Sequence, residues 1–229
     1  MSNSQLSDYP IFSGLSQSDL AKITQCLSRR SLKKGAYLYK IEDAAVNFYL
    51  VESGLLRLFF TDASGQEYLL ELVGPGAILG MPLLYEDHVR TLSAAAVVPS
   101  VVLALSQRDL AAFSQRFPRL MQNIYQYLFI NIRKLINFIQ TLVILGVEGR
   151  LVNLILHLSS VKIDQTIRDE FEVPVSQAEL ARWLGTSRGH LNRSLIHLQE
   201  LGLIRMEGQK LTILDRKGLQ AVVEDKIAK

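Results

Sequence analysis

Arg188, Asn192 and Arg193 are the side chains of this sequence whose types and spacing fit a definite chemistry. Separated by four residues and one, they fall on one side of a helix. Arginine can donate two parallel hydrogen bonds to guanine, and asparagine pairs in the same two-point way with adenine. The chemistry that fits is base-edge reading in the major groove of duplex DNA, and the alternative is an ordinary helical hairpin with a solvated charged face. Gln177, Thr186 and Ser187 carry short polar groups suited to phosphate oxygens. The backbone N–H groups of a helix beginning at Arg188 would serve the same oxygens. Lys210, farther along, is a candidate for the neighbouring phosphate backbone.

The element that must hold these groups runs from Gln177 to Ile196. It reads as two short helices joined by a tight turn at Gly185. Leu180, Ala181 and Leu184 give the first an apolar face, and Leu191, Leu195 and Leu198 give the second its ridge. Ala181 is small enough for a close crossing, and Ser187 can cap the second helix through its hydroxyl. Trp183 is expected to cover the seam between them with its ring. Downstream, Leu203–Met206 and Lys210–Ile213 flank Glu207-Gly208-Gln209, a small hairpin, and Asp215 can cap a final helix. The whole predicts a winged helix-turn-helix over 147–229.

Upstream the patterning changes. Short β-rich runs recur at Ala36–Tyr39, Asn47–Val51, Leu55–Phe60, Tyr68–Leu72, Leu92–Val98 and Ser100–Leu105, with turn residues between them. Many short strands at even spacing predict a β-roll of jelly-roll type. Leu6–Leu27 reads as helical, capped around Ser16 and Asp19, and Ser106–Phe117 as a short helix. These elements make an effector-sensing domain over 1–117. A long helix follows from Pro118, a residue suited to a first helical position, to about Leu145. Met121, Ile124, Leu128, Asn131, Leu135, Phe138, Leu142 and Leu145 alternate steps of three and four along it. That predicts a parallel helix–helix homodimer with Asn131 setting the register, and assigns 118–146 to dimerisation and hinge. Packing against the β-domain alone is the alternative, and since Tyr127, Ile132, Ile136 and Ile139 lie off that stripe, the helix could do both. Gly146 to Gly149 reads as a hinge, Arg150–Ser160 as another helix, and Val161–Glu172 as a loop. The fold class expected is α+β.

Composition narrows the classes of function. The chain has 229 residues, 48% of them hydrophobic, and a formal net charge of +3. Between Gln177 and Lys217 there are seven Lys/Arg against four acids. Cys26 is the only cysteine, which excludes an internal disulfide and leaves an iron–sulfur cluster short of ligands. The first ten residues lack a signal-peptide core, and no window is long and apolar enough to span a membrane. A cytoplasmic protein is expected. No metal-spaced His/Cys cluster, Gly-x-Ser-x-Gly turn or phosphate loop is present. Glu86, Asp87 and His88 are mere neighbours on a loop, so no enzyme is expected.

A β-roll, a long helix and a winged helix in that order resemble the family of the cyclic-AMP receptor protein and the oxygen regulator FNR. The matching pieces are Leu32-Lys33-Lys34-Gly35, Phe48-Tyr49-Leu50-Val51-Glu52-Ser53-Gly54, Gly74-Pro75-Gly76, Leu145-Gly146-Val147-Glu148-Gly149-Arg150, and the two-helix motif. The resemblance implies a homodimeric transcription regulator of an inverted repeat, with RNA polymerase as a further partner. It implies an effector in the β-roll that repositions the reading helices. Cyclic-nucleotide members carry Gly-Glu-Leu for the ribose and then Arg-Ser or Arg-Thr for the phosphate. Here Gly80-Met81-Pro82-Leu83 lacks the acid, while Arg90 and Thr91 match. Leu135 and Ile136 fall where cyclic-AMP binders place hydroxyls for the base. A buried phosphate facing one arginine and an apolar wall is poorly compensated. Cyclic AMP is therefore not expected, and a small apolar or weakly acidic effector fits Met81, Leu83, Leu135 and Ile136 with Arg90 as counter-charge. A haem-based member needs an axial ligand, for which His88 is the one histidine near the roll. A surface-loop role is the commoner fate of such a histidine, and an effector-free regulator is the other alternative. In the reading helix, Arg188 and Arg193 match the family's two arginines, while Gly189 stands where the family has Glu. The missing carboxylate cannot accept from a cytosine amino group, and His190 and Asn192 are left to base readout or phosphate contact.

Overall fold

The computed structural model describes residues 6–80, 89–160 and 169–227. The chain divides into two compact units, 1–58 with 73–134, and 59–72 with 135–229. The boundary between them at 134/135 falls inside the long helix.

The β-roll is built from two four-stranded sheets. The first orders β1 (Ser28–Leu32), β8 (Ser100–Ser106), β3 (Asn47–Ser53) and β6 (Ile78–Leu79) side by side. The second orders β2 (Tyr37–Tyr39), β7 (Ser93–Ala96), β4 (Leu56–Thr61) and β5 (Glu67–Val73). In the first sheet Phe48 pairs with Leu105, Tyr49 with Ala104, Leu50 with Leu103 and Val51 with Val102, all antiparallel. Side chains alternate faces along a strand. Tyr49, Val51, Val102 and Ala104 thus enter one apolar cluster with Leu38, Tyr39, Leu56 and Ala94. Phe48, Leu50, Leu103 and Leu105 enter the other. Both faces of β3 and β8 are covered, which is why their sequences are continuous apolar runs rather than alternating ones.

The second cluster is closed by helices. α1 (Gln17–Gln25) contributes Leu20 and Ile23, α2 (Gln107–Arg116) contributes Leu110, and α3 (Pro118–Ile144) contributes Leu120 and Ile124. Each of the first two starts on a serine whose hydroxyl accepts a backbone N–H: Ser16 from Asp19, and Ser106 from Asp109. Buried Asn123 of α3 donates to the Ile11 and Ser13 carbonyls, fastening the N-terminal segment. A single helix over Leu6–Leu27 does not form. A 3-10 turn at Pro10–Phe12 precedes α1, because Pro10 and the left-handed Gly14 interrupt the ladder. β1 and β6 escaped the sequence reading. The first is a polar edge strand with only Leu32 buried, and the second is two residues long.

In the second unit, α4 (Val147–Ser160) begins earlier than its periodicity suggested. Gly149 therefore lies inside this helix, and the break is confined to Leu145 and Gly146. A Cβ on Gly149 would stand 3.0 Å from that of Leu145, so the glycine serves close approach rather than a bend. α5 (Gln177–Trp183) and α6 (Arg188–Glu200) form the helix-turn-helix, and α7 (Arg216–Ile227) ends the described chain. α4 packs against both α6 and α7. The hairpin β10 (Ile204–Glu207) and β11 (Lys210–Ile213) gains a third strand, β9 (Glu170–Glu172), in the order β10-β11-β9. That strand lies in a segment expected to be loop, since Glu-Phe-Glu buries nothing fully. The architecture is α+β: a β-roll, a long helix and a winged helix-turn-helix.

Candidate nucleic-acid interface and effector site

Local chemistry sets the reading helix. Gly185 adopts φ +60°, open to glycine at no steric cost, and turns the chain out of α5. The Thr186 N–H then donates to the Ala181 carbonyl at 3.0 Å. Ser187 opens α6, its hydroxyl accepting the His190 N–H at 3.2 Å. Leu191, Leu195 and Leu198 are buried with Ser194, as the spacing requires. The opposite side presents Arg188, Gly189, His190, Asn192 and Arg193 to solvent. Among the described residues none of the side chains of Arg188, Asn192 or Arg193 has a hydrogen-bond or ionic partner, so their donors are available to a ligand. Ser187 is exposed and Thr186 half-buried beside them, while Gln177 sits half-buried at the first position of α5.

Several contacts that brace this helix carry no sequence signature. Arg150 of α4 donates to the Leu184 carbonyl at the end of α5, at 3.2 Å. Gln199 accepts the Met206 N–H at 3.0 Å and ties α6 to the wing. His197 on the flank of α6 places Nδ1 2.6 Å from Oε2 of Glu148 on α4. Trp183 is buried as expected, its Nε1–H without a partner among the described residues. Ser176 caps α5 by accepting from Glu179. Apart from the Ser176 cap, which a local Ser-x-x-Glu places, these links join residues 7 to 49 positions apart, so only folding brings them to notice.

Lys210 is not a free cation. Its Nζ lies 2.7 Å from Oε1 of Glu170. Register places Glu172 and Glu207 opposite it on the two flanking strands. Hydrogen bonding to Glu170 and that carboxylate's charge, with Glu207 and Glu172 adding, hold the ammonium above its ordinary pKa. Glu170 and Glu172 come from the strand that the sequence concealed.

In the roll, Arg90 and Gly80 do come together. The Arg90 side chain is buried, with Nη1 donating to the Gly80 carbonyl and Nη2 to that of Asn47. Its guanidinium lies 4.2 Å from the Tyr39 ring centre and 5.5 Å from that of Tyr49. Burial pushes the Tyr39 phenol up to about 12, the Arg90 charge opposing, so it stays neutral. Gly80 has φ +68°, and any Cβ there would collide with Arg90 Nη1. Buried Arg90 Nε lacks a partner among the described residues. Thr91 is exposed. Met81, Pro82, Leu83 and the Glu86-Asp87-His88 run lie outside the described residues. Leu135 and Ile136 are 48% and 50% exposed.

The proposed helix seam divides. Ile124 is 1% exposed within its own unit's core, and Met121 and Leu128 pack against that core. They thus pack on their own β-roll. The reason is that the roll's helices need an apolar lid and α3 supplies it. Asn131 donates to the Tyr127 carbonyl one turn back. Phe138 is half-buried, and the Leu142 side chain lies outside the description. Leu135 of that seam is exposed, as are Ile130 and Ile144, and six further exposed apolar residues form a stripe shifted by one: Tyr125, Phe129, Ile132, Ile136, Ile139 and Val143. They too alternate steps of four and three.

Among the described residues no helix is long and apolar enough to cross a membrane, and no cluster could hold a metal. Residues 29–117 match the cyclic nucleotide-binding domain and residues 149–222 the Crp-like helix-turn-helix domain. The chain is 31% identical over 197 residues to the cyclic AMP receptor protein of Thermus thermophilus, covering 86% of this chain and 88% of that one. The crystal structure of the Thermus thermophilus catabolite activator protein is similar at 29% identity, with TM-score 0.52 over 94% of this chain and 99% of that one. A CRP/FNR-family transcriptional regulator from the same organism aligns at 25% identity and TM-score 0.67, over 87% and 100% of the two chains. With both domain models matched in one chain and 31% identity over most of its length, this chain belongs to the CRP/FNR family of transcription regulators.

Proposed function

We propose that the chain works as a homodimer that recognises an inverted repeat in duplex DNA, gated by a small effector other than cyclic AMP in its β-roll. The observation that carries the DNA reading is the solvent side of α6. There two arginines and an asparagine stand without partners on a helix braced from α4 and the wing. Arg188 and Arg193 read base edges, with His190 and Asn192 beside them. Gly189 offers no carboxylate, so the site differs from one read through a Glu. Gln177, Thr186, Ser187 and the start of α6 meet phosphates. Lys210 reaches the neighbouring phosphate only by leaving Glu170. RNA polymerase is the further partner that a regulator of this family would address.

The dimer forms along α3. Its contact is the exposed stripe Tyr125, Phe129, Ile132, Ile136, Ile139 and Val143, with Leu135 at its border. Sustained alternation of three and four is the repeat of a two-stranded seam, and water-exposed apolar side chains at every step favour a second copy.

Cyclic AMP is disfavoured because Gly80-Met81-Pro82-Leu83 lacks the acid that holds ribose, and because two of the Arg90 donors already serve the Gly80 and Asn47 carbonyls. Its phosphate would share a guanidinium already engaged with its own chain. The same observation favours a second reading, a regulator that needs no effector. Selection from random duplexes with the purified chain tests the DNA reading: an inverted repeat is expected. A monomer that prefers no sequence, with or without cell extract, overturns it. Thermal melting with candidate ligands separates the two effector readings, since a true ligand raises the midpoint by mass action. Cyclic AMP is expected to leave it unmoved.

A further inference from the structure

On the solvent side of α6 one large side chain is out of place. Ile196 is 44% exposed, while the residues around it on that side are Arg188, His190, Asn192, Arg193, His197 and Glu200, all polar. Its azimuth is central rather than marginal. The buried residues Leu191, Ser194, Leu195 and Leu198 define the inner face. At about 100° per residue, Ile196 points almost directly away from them, between Asn192 and Arg193. Gly189, Asn192, Arg193 and Ile196 have the spacing i, i+3, i+4, i+7, the single stripe that a helix can lay against a groove floor.

The second observation is Gly189. Glycine inside a helix is destabilising relative to alanine, and here no neighbour demands it. A Cβ at Gly189 would meet nothing within 4 Å, and its φ is not left-handed. Its effect is external: with no side chain there, the stripe is shallow and the helix axis can approach its target more closely. A closer axis is what a short branched side chain such as Ile196 needs in order to touch a base edge. The one apolar group that a major-groove floor offers is the C5-methyl of thymine.

We infer that Ile196 is a specificity-determining residue that packs on the methyl group of one thymine per half-site, next to the base read by Arg193, with Gly189 permitting the approach. The inference rests on the DNA reading above and adds an apolar letter to its polar code. An exposed isoleucine that merely meets water would show no preference for that methyl.

The test removes the methyl and nothing else. The full-length chain first selects its site from random duplexes, in the presence of a filtered cell extract. Each thymine of that site is then replaced in turn by deoxyuridine, and affinity is measured for the unmodified protein, Ile196→Ala and Ile196→Val. One thymine per half-site is expected to be sensitive. Loss of its methyl should weaken the unmodified protein about fourfold, the burial of one methyl-sized group, and about fifteenfold when both half-sites are changed. Ile196→Ala should bind the thymine and uracil sites equally, and Ile196→Val should keep part of the difference. Equal melting midpoints and equal affinity for random DNA establish that the variants are folded. If an inverted repeat is selected but every thymine can be replaced without cost, or the cost survives in Ile196→Ala, the methyl contact is wrong and the regulator reading stands. If no sequence is selected, both fall.

Discussion

The side chains that read DNA and those that only attract it can be told apart by what they lose on substitution. Arg188 and Arg193 stand unpartnered on α6, so Arg188→Ala or Arg193→Ala should cost about 1–3 kcal/mol on the selected site and relax one base position per half-site. Equal losses on selected and random duplexes, measured by titration, would make them phosphate contacts instead. Lys210 is a different case, because three carboxylates crowd the wing around it. Glu170→Gln releases the ammonium while leaving the strand its shape. Affinity should then rise on every sequence alike, and the salt dependence should steepen by about one counterion. An unchanged slope in a salt titration would show that the wing stays clear of the phosphates. The exposure of Arg188, Asn192 and Arg193 was legible in the sequence, because their neighbours at helical spacing are leucines that face inward. The fate of Lys210 was not, since Glu170 lies 40 positions away on a strand with no apolar pattern.

At the scale of the element, α3 carries two heptad stripes one residue apart. Both satisfy the three-four rule, and hydrophobicity alone does not rank them. The roll core takes Met121, Ile124 and Leu128, leaving Tyr125 to Val143 outside. The two stripes should respond differently to substitution. Ile136→Asp places a charge in the proposed seam and should yield a monomer in sedimentation, with the melting transition of the roll retained. Ile124→Ala removes a fully buried side chain and should cost about 2–5 kcal/mol of stability. A dimer that survives Ile136→Asp would move the contact off the exposed stripe. The caps at Ser16, Ser106 and Ser187 show the opposite situation. A cap is decided within a few residues, so sequence suffices to place it.

For the whole molecule, the proposed dimer would relate two reading helices by a two-fold axis and so demand half-sites about one helical turn, roughly 34 Å, apart. Adding about half a turn of duplex between the half-sites rotates one of them to the far side, and binding should drop to the level of a single half-site. A gel-shift series with increasing spacers measures this, and undiminished binding at every spacer would mean that the copies bind independently. The order of roll, long helix and winged helix followed from sequence alone, because each is a local pattern: short β-rich runs between turns, a sustained helical repeat, and two amphipathic helices around Gly185. So did the exposure of Arg188 and Arg193 on α6. Only the tertiary structure decided which stripe of α3 is covered, that Arg90 is held by the Gly80 and Asn47 carbonyls, and that Lys210 is paired with Glu170. Periodicity states that a face is apolar or a side chain charged. Which partner satisfies it depends on segments distant in the chain, and their meeting is a property of the fold.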